Sequence, residues 1–103
     1  MNARQYRPAA GGGYPAAVSE RERWAPLSMT LAGIPFRGVS VAGRETWFHV
    51  PSLDLAFDVG RSPADVVPAP TLFLSHAHLD HAGGLAYWAS QRRLLRLPEA
   101  RVF

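Results

Sequence analysis

The sharpest alternation of apolar and polar positions runs through residues 53–59. Leu53, Leu55, Phe57 and Val59 fall on one side of an extended chain, and Asp54, Ala56 and Asp58 on the other. This pattern predicts a strand that buries its first set. Upstream, residues 29–32 and 38–42 read as short β-type runs on either side of Pro35, and residues 46–50 as a further strand. Pro51 and Ser52 turn the last of these back as a hairpin onto the strand at 53–59.

Further along, Ser62, Pro63 and Asp65 predict a short helix, with Ser62 as its cap and Pro63 as its first residue. Pro68 and Pro70 end it. Thr71-Leu72-Phe73-Leu74 is continuously apolar after its first residue, which predicts a central strand covered on both faces. Beyond Gly83-Gly84 the spacing predicts a helix over 85–97, with Leu85, Trp88, Ala89 and Leu95 near one face. Arg92, Arg93 and Arg96 then sit where positive charge suits the helix dipole. Residues 101–103 read as the start of another strand.

The first 28 residues break every period and read as a flexible tail, with residues 29–103 as the folded part. Gly11-Gly12-Gly13 and Pro8, Pro15 and Pro26 interrupt the tail. Ser19 with Glu22 three residues on allows one short capped helix there. Tyr6, Tyr14 and Trp24 are read as local packing residues rather than base-stacking ones.

Composition narrows the chemistry. The 103 residues contain no cysteine, so a disulfide framework and a thiolate metal site are both excluded. The net charge is +3 and every Lys/Arg position is arginine. Arginine suits phosphate recognition, but a charge this small does not by itself mark a nucleic-acid binder. No apolar run approaches the roughly 20 residues that span a bilayer. No apolar segment follows Arg4 and Arg7, so a secretory signal is not expected. These features predict a cytoplasmic protein with no membrane association.

One stretch carries dense chemistry. In Ser75-His76-Ala77-His78-Leu79-Asp80-His81-Ala82-Gly83-Gly84 the pattern is H-x-H-x-D-H, and it holds three of the four histidines. Imidazole nitrogens and a carboxylate suit zinc and related ions. His76 and His78 can turn toward one point, and Asp80 and His81 toward a second a few ångströms away, as in a two-metal hydrolytic site. His49, on the strand before the hairpin, has no ligand-type neighbour and is read as structural or exposed. Asp58 is either a turn-forming carboxylate or an acceptor that braces the metal loop.

H-x-H-x-D-H after a buried strand, followed by Gly-Gly and a helix, resembles the signature of the metallo-β-lactamase superfamily. The strand ending in Asp58 before Gly60 resembles that superfamily's aspartate motif. Gly33-Ile34-Pro35-Phe36-Arg37-Gly38-Val39-Ser40-Val41-Ala42-Gly43-Arg44-Glu45-Thr46, Pro51-Ser52-Leu53 and Ala56-Phe57-Asp58-Val59-Gly60-Arg61 are similar to the opening of short-form ribonuclease Z of plant type. Arg61-Ser62-Pro63 departs from the usual bacterial form.

The resemblance implies an α/β fold, the αβ/βα sandwich, of which this chain supplies the N-terminal half: mostly antiparallel and mixed strands, plus one helix after the metal loop. It implies two zinc ions, with His76 and His78 on one and Asp80 and His81 on the other, each completed by later ligands. Asp80 would also orient the attacking hydroxide. The substrate implied is precursor tRNA, cut at its 3′ trailer, by an enzyme that is a homodimer when complete. The alternatives are another hydrolase of this superfamily, acting on a small ester, thioester or lactam, and a non-catalytic fragment. Four ligands shared between two ions leave each underheld. The 103-residue chain on its own is therefore expected to bind metal weakly and to leave precursor tRNA uncut. Turnover by the purified chain at the rate of a complete enzyme would overturn this.

Overall fold

Short turns set the order of the sheet. In the computed structural model, which describes residues 25–103, strand β1 (Leu27–Leu31) returns as β2 (Ile34–Val41) through Ala32 and Gly33. Both turn residues have positive φ (51° and 79°), the geometry of a tight two-residue hairpin. β2 turns at Ala42–Arg44 into β3 (Glu45–Val50). A single 3₁₀ turn, Pro51–Leu53, then leads to β4 (Leu55–Phe57). β5 (Thr71–Phe73) and β6 (Arg101–Val102) follow, and the sheet order is the chain order. The first four strands pair antiparallel, and β4–β5 and β5–β6 pair parallel. Parallel pairs require crossovers. The second crossover carries α1 (Leu79–Ala82) and α2 (Leu85–Leu94). The mixed sheet with its single long helix is the partial α/β arrangement expected. Strand β1 begins at Leu27, two residues before the first β-type run expected from the sequence, and the tail's expected helix and aromatic residues lie outside the described residues.

One face of the sheet carries the core. Val39, Trp47, Ala56 and Leu72 project from four adjacent strands beneath Val59, Val66, Val67, Ala69 and Trp88. Here the alternation at 53–59 is corrected. The strand starts two residues late, because Asp54 takes a left-handed conformation (φ 54°) to close the Pro51 turn. Ala56 is fully buried, whereas Phe57 is 44% exposed. Val59 reaches the core only because Asp58 also has positive φ (58°), which breaks the period of two. β5 lies between two strands as expected, but only Leu72 is fully covered. Phe73 stacks on Phe57 and Phe103 on the opposite face (centroids 5.4 and 5.2 Å). His49 is half-buried at the edge of the core, and burial lowers its pKa against the pull of Asp65 and Asp54.

Residues 62–69 are turns rather than the expected helix. Ser62 has φ 59°, incompatible with an extended capping residue, and the bonds Val66 N–H to Pro63 O and Ala69 N–H to Val66 O close separate turns. Helix α2 is shorter than expected. Arg96 is left-handed (φ 54°), and the amides of Arg96 and Leu97 cap the carbonyls of Arg93 and Arg92. That is the usual glycine-type helix stop, here made by arginine. Ala89 and Leu95 point outward, and the inward stripe is Leu85, Trp88 and Arg92.

Arg92 therefore does not serve the helix dipole at the surface. Its Nη1 donates to the carbonyls of Val67 (2.7 Å) and Ala69 (2.9 Å), and its Nη2 to that of Pro98 (2.7 Å). Its guanidinium also lies over the Trp88 ring at 5.3 Å. One buried cation thus ties α2 to the irregular chain before β5 and to the chain that leads into β6. Substituting Arg92→Met leaves three inward carbonyls without donors. We expect a loss of at least about 3 kcal/mol, read from the urea midpoint. An Arg92→Met midpoint equal to wild type would show that the clamp carries no stability.

Candidate metal centre

The loop that follows β5 is placed by backbone bonds before any side chain acts. The Leu74 N–H donates to the Phe103 carbonyl (2.8 Å), extending the parallel pairing past the end of β5. The chain then runs out through Ser75, His76, Ala77 and His78, all exposed. It turns into α1, whose first closing bonds are from the His81 and Ala82 amides to the His78 carbonyl (3.0 and 2.9 Å). The His81 carbonyl accepts from the amides of Val59 (2.9 Å) and Gly60 (3.2 Å). The Gly84 amide donates to the Gly60 carbonyl (2.8 Å), and a Cβ at Gly84 would sit 2.4 Å from the Ser62 nitrogen. Only glycine lets the two segments approach this closely.

The side chains converge on this frame. His76 and His78 have ring centroids 4.5 Å apart, and His76 and His81 4.0 Å apart. The three rings thus form one cluster centred on His76. Asp80 joins through His81: its Oδ2 lies 3.4 Å from His81 Nε2. The same oxygen accepts from the Gly43 N–H at 3.2 Å, across from the β2–β3 turn.

Beneath the cluster lies Asp58, only 5% exposed. Its Oδ2 accepts from His81 Nδ1 (2.8 Å) and its Oδ1 from the Ser75 N–H (2.8 Å). The Ser75 hydroxyl is within 2.9 Å of both carboxylate oxygens and donates to one of them, while His76 Nδ1 stands 2.9 Å from that hydroxyl. With protons on both Nδ1 atoms, His76 and His81 each present Nε2 as a lone pair. Burial pushes the Asp58 carboxyl up. The hydrogen bonds from His81 and from the Ser75 amide and hydroxyl outweigh it and hold Asp58 below the usual carboxylate range.

The donors fit a zinc-type ion in kind and in one spacing. In this tautomer His81 Nε2 and Asp80 Oδ2 are two acceptors facing each other, an arrangement that a shared cation reconciles. Their 3.4 Å separation is close to the roughly 3.3 Å between two ligands of a tetrahedral ion with bonds of about 2.0–2.1 Å. Among the described residues no group of three or more His, Asp or Glu forms a closed metal-holding set. Sequence reading gave Ser75, Gly43 and Glu45 no role. Ser75 had one signal, its place between the strand and the first histidine. The other two lie more than thirty residues upstream of the loop and had none.

The Asp58 contacts yield a test with a defined sign. A depressed folded pKa means that the contribution of Asp58 is complete above its unfolded value, about 4, and is lost as pH falls through the lower folded value. Asp58→Asn keeps a residue tolerant of positive φ and an acceptor for Ser75, but removes the anion from His81. The variant is expected to be less stable than wild type at neutral pH. The two urea midpoints should converge as the pH is lowered through that range. A constant gap at every pH would contradict the carboxylate's role.

Comparison with known proteins places this geometry in a family. The family model for the metallo-beta-lactamase superfamily matches residues 42–100, from the β2–β3 turn to the edge of β6. A nuclear ribonuclease Z of Triticum aestivum is 45% identical over 75 residues, 73% of this chain and 43% of the relative. Two Arabidopsis thaliana proteins are each 41% identical: a tRNase Z over 70 residues and a chloroplastic tRNase Z over 73. The match covers 68% and 71% of this chain, but 25% and 21% of those two proteins. The chain thus spans less than half the length of the relatives it matches. With the histidine loop, its buried aspartate and the strands that carry both inside the matched region, the chain belongs to the metallo-beta-lactamase superfamily.

Proposed function

We propose that this chain supplies the first ligands of a two-zinc phosphodiesterase of ribonuclease Z type, acting on the 3′ trailer of precursor tRNA. The observation that carries the reading is the cluster of three imidazoles and the Asp80 carboxylate, braced from below by Asp58. The similarity to ribonuclease Z proteins supports the substrate class.

His76 and His78 would hold one zinc, and Asp80 and His81 the other, each with ligands from elsewhere. When bound, zinc supplies Lewis acidity to a scissile phosphate and acidifies water. The protein's part is positional. Asp58 fixes the His81 ring through Nδ1 and leaves Nε2 to face outward. Ser75 does the same for His76. Asp80, held at one oxygen by the Gly43 amide, would orient the attacking water.

Among the described residues, no helix is long and apolar enough to cross a membrane. A homodimer, on the strength of the family resemblance, and the cytoplasmic location expected from the sequence complete the reading, although two of the relatives are named as nuclear and chloroplastic proteins. In the full-length protein, His78→Ala should lower zinc content and pre-tRNA cleavage together. The loss should exceed the roughly 10–100-fold typical of residues that only brace a ligand. Small esters and lactams serve as the competing substrates. Retained zinc and cleavage would refute the ligand assignment, and preferential ester hydrolysis the substrate.

A further inference from the structure

Two hydrogen bonds join the start of β3 to the turn after Asp58, a third braces the Glu45 carboxylate within β3, and none of them involves a ligand-type residue of the metal loop. The Glu45 carboxylate receives the Trp47 indole N–H on Oε1 (2.9 Å) and the Arg61 backbone N–H on Oε2 (3.2 Å). The Arg61 Nε donates to the Arg44 carbonyl (3.3 Å). Glu45 also packs against Gly60 so closely that a Cβ there would meet its Cγ at 2.6 Å. Gly60 is the residue whose amide grips the His81 carbonyl and whose carbonyl takes the Gly84 amide. A path of direct contacts thus runs from Glu45 through the Gly60–Arg61 peptide to the main chain inside α1, at His81, and just after it, at Gly84. Two residues earlier, the same turn reaches the loop again, where the Gly43 amide bonds Asp80.

From this we infer that Glu45 is a positioning residue for the metal loop. The β2–β3 turn acts as a bracket. Its backbone fixes Asp80, and its Glu45 carboxylate fixes the Gly60 segment that holds His81. The geometry gives Glu45 this task for a physical reason. A loop whose His76 and His78 are exposed and whose Asp80 and His81 are only partly buried has little packing of its own, so its shape must come from the buried and half-buried chain beneath it. The Arg61 amide has its acceptor in Glu45, and an aliphatic side chain there leaves that amide to find another by moving. The inference rests on the metal-centre reading for its consequence, but not for its structural content.

The test compares Glu45→Ala, Glu45→Gln and a control, Val39→Ala, in the full-length protein. Val39 lies in the core on β2 and makes none of these bonds, so it reports a general loss of stability. Two readouts are taken. Amide hydrogen exchange needs no metal, and Glu45→Ala should speed exchange at Val59, Gly60 and Gly84 by at least tenfold relative to Val39→Ala. Zinc affinity, measured by chelator competition, should fall by about 10–100-fold in Glu45→Ala and less in Glu45→Gln, which keeps one acceptor oxygen. Val39→Ala should leave zinc affinity within about twofold of wild type. Equal effects of Glu45→Ala and Val39→Ala on both readouts would overturn the inference, as would unchanged exchange at those three amides. Faster exchange in Glu45→Ala, together with a wild-type protein that takes up no zinc, would keep the bracket and remove the metal reading instead.

Discussion

The site depends on one buried carboxylate finding its donors. Placing Asp58 out of water is unfavourable unless its oxygens are met, and here they are met by a backbone amide, a hydroxyl and an imidazole from a single downstream loop. That requirement links two segments far apart in sequence. It fixes where the chain leaves β5, which tautomer His81 adopts and which ring nitrogen is left outward. Without Asp58, Ser75 and His81 lose the acceptor they share.

Around that contact the fold divides its labour. The antiparallel strands build the core face and present the β2–β3 turn. The parallel strands deliver the ends of β4 and β5 side by side, so the aspartate and the histidine loop emerge from neighbouring strands at the same end of the sheet. Helix α2 then holds the crossover down through Trp88 and Arg92, whose polar groups satisfy carbonyls in the irregular residues 66–69 and at Pro98. Irregular chain can lie buried here because its carbonyls have side-chain donors.

Much of this was legible in the sequence, for identifiable reasons. Strand existence followed from short apolar runs, and the histidine loop from ligand chemistry at close spacing. What failed were phases and ends. The alternation at 53–59 named the wrong inner set, since two left-handed aspartates reset the period, and nothing in the side chains announces that. Helix α2 stops at an arginine in a glycine conformation, so the end came three residues early. Arg92 was misread because a charged residue on a buried stripe looks like an exposed one until its carbonyl partners are seen. Contacts between distant segments, such as Glu45 with Arg61 or Gly43 with Asp80, leave no local pattern to read.

The backbone at Asp58 narrows the choice of amino acid more than its charge alone. At φ 58° most side chains are strained, and only glycine, asparagine and aspartate adopt the conformation readily. Among these, only aspartate carries an anion. Glutamate would keep the charge and pay in backbone strain, while asparagine and glycine would keep the backbone and lose the anion. The demands of conformation and of electrostatics intersect in one residue type, so this position has no conservative replacement.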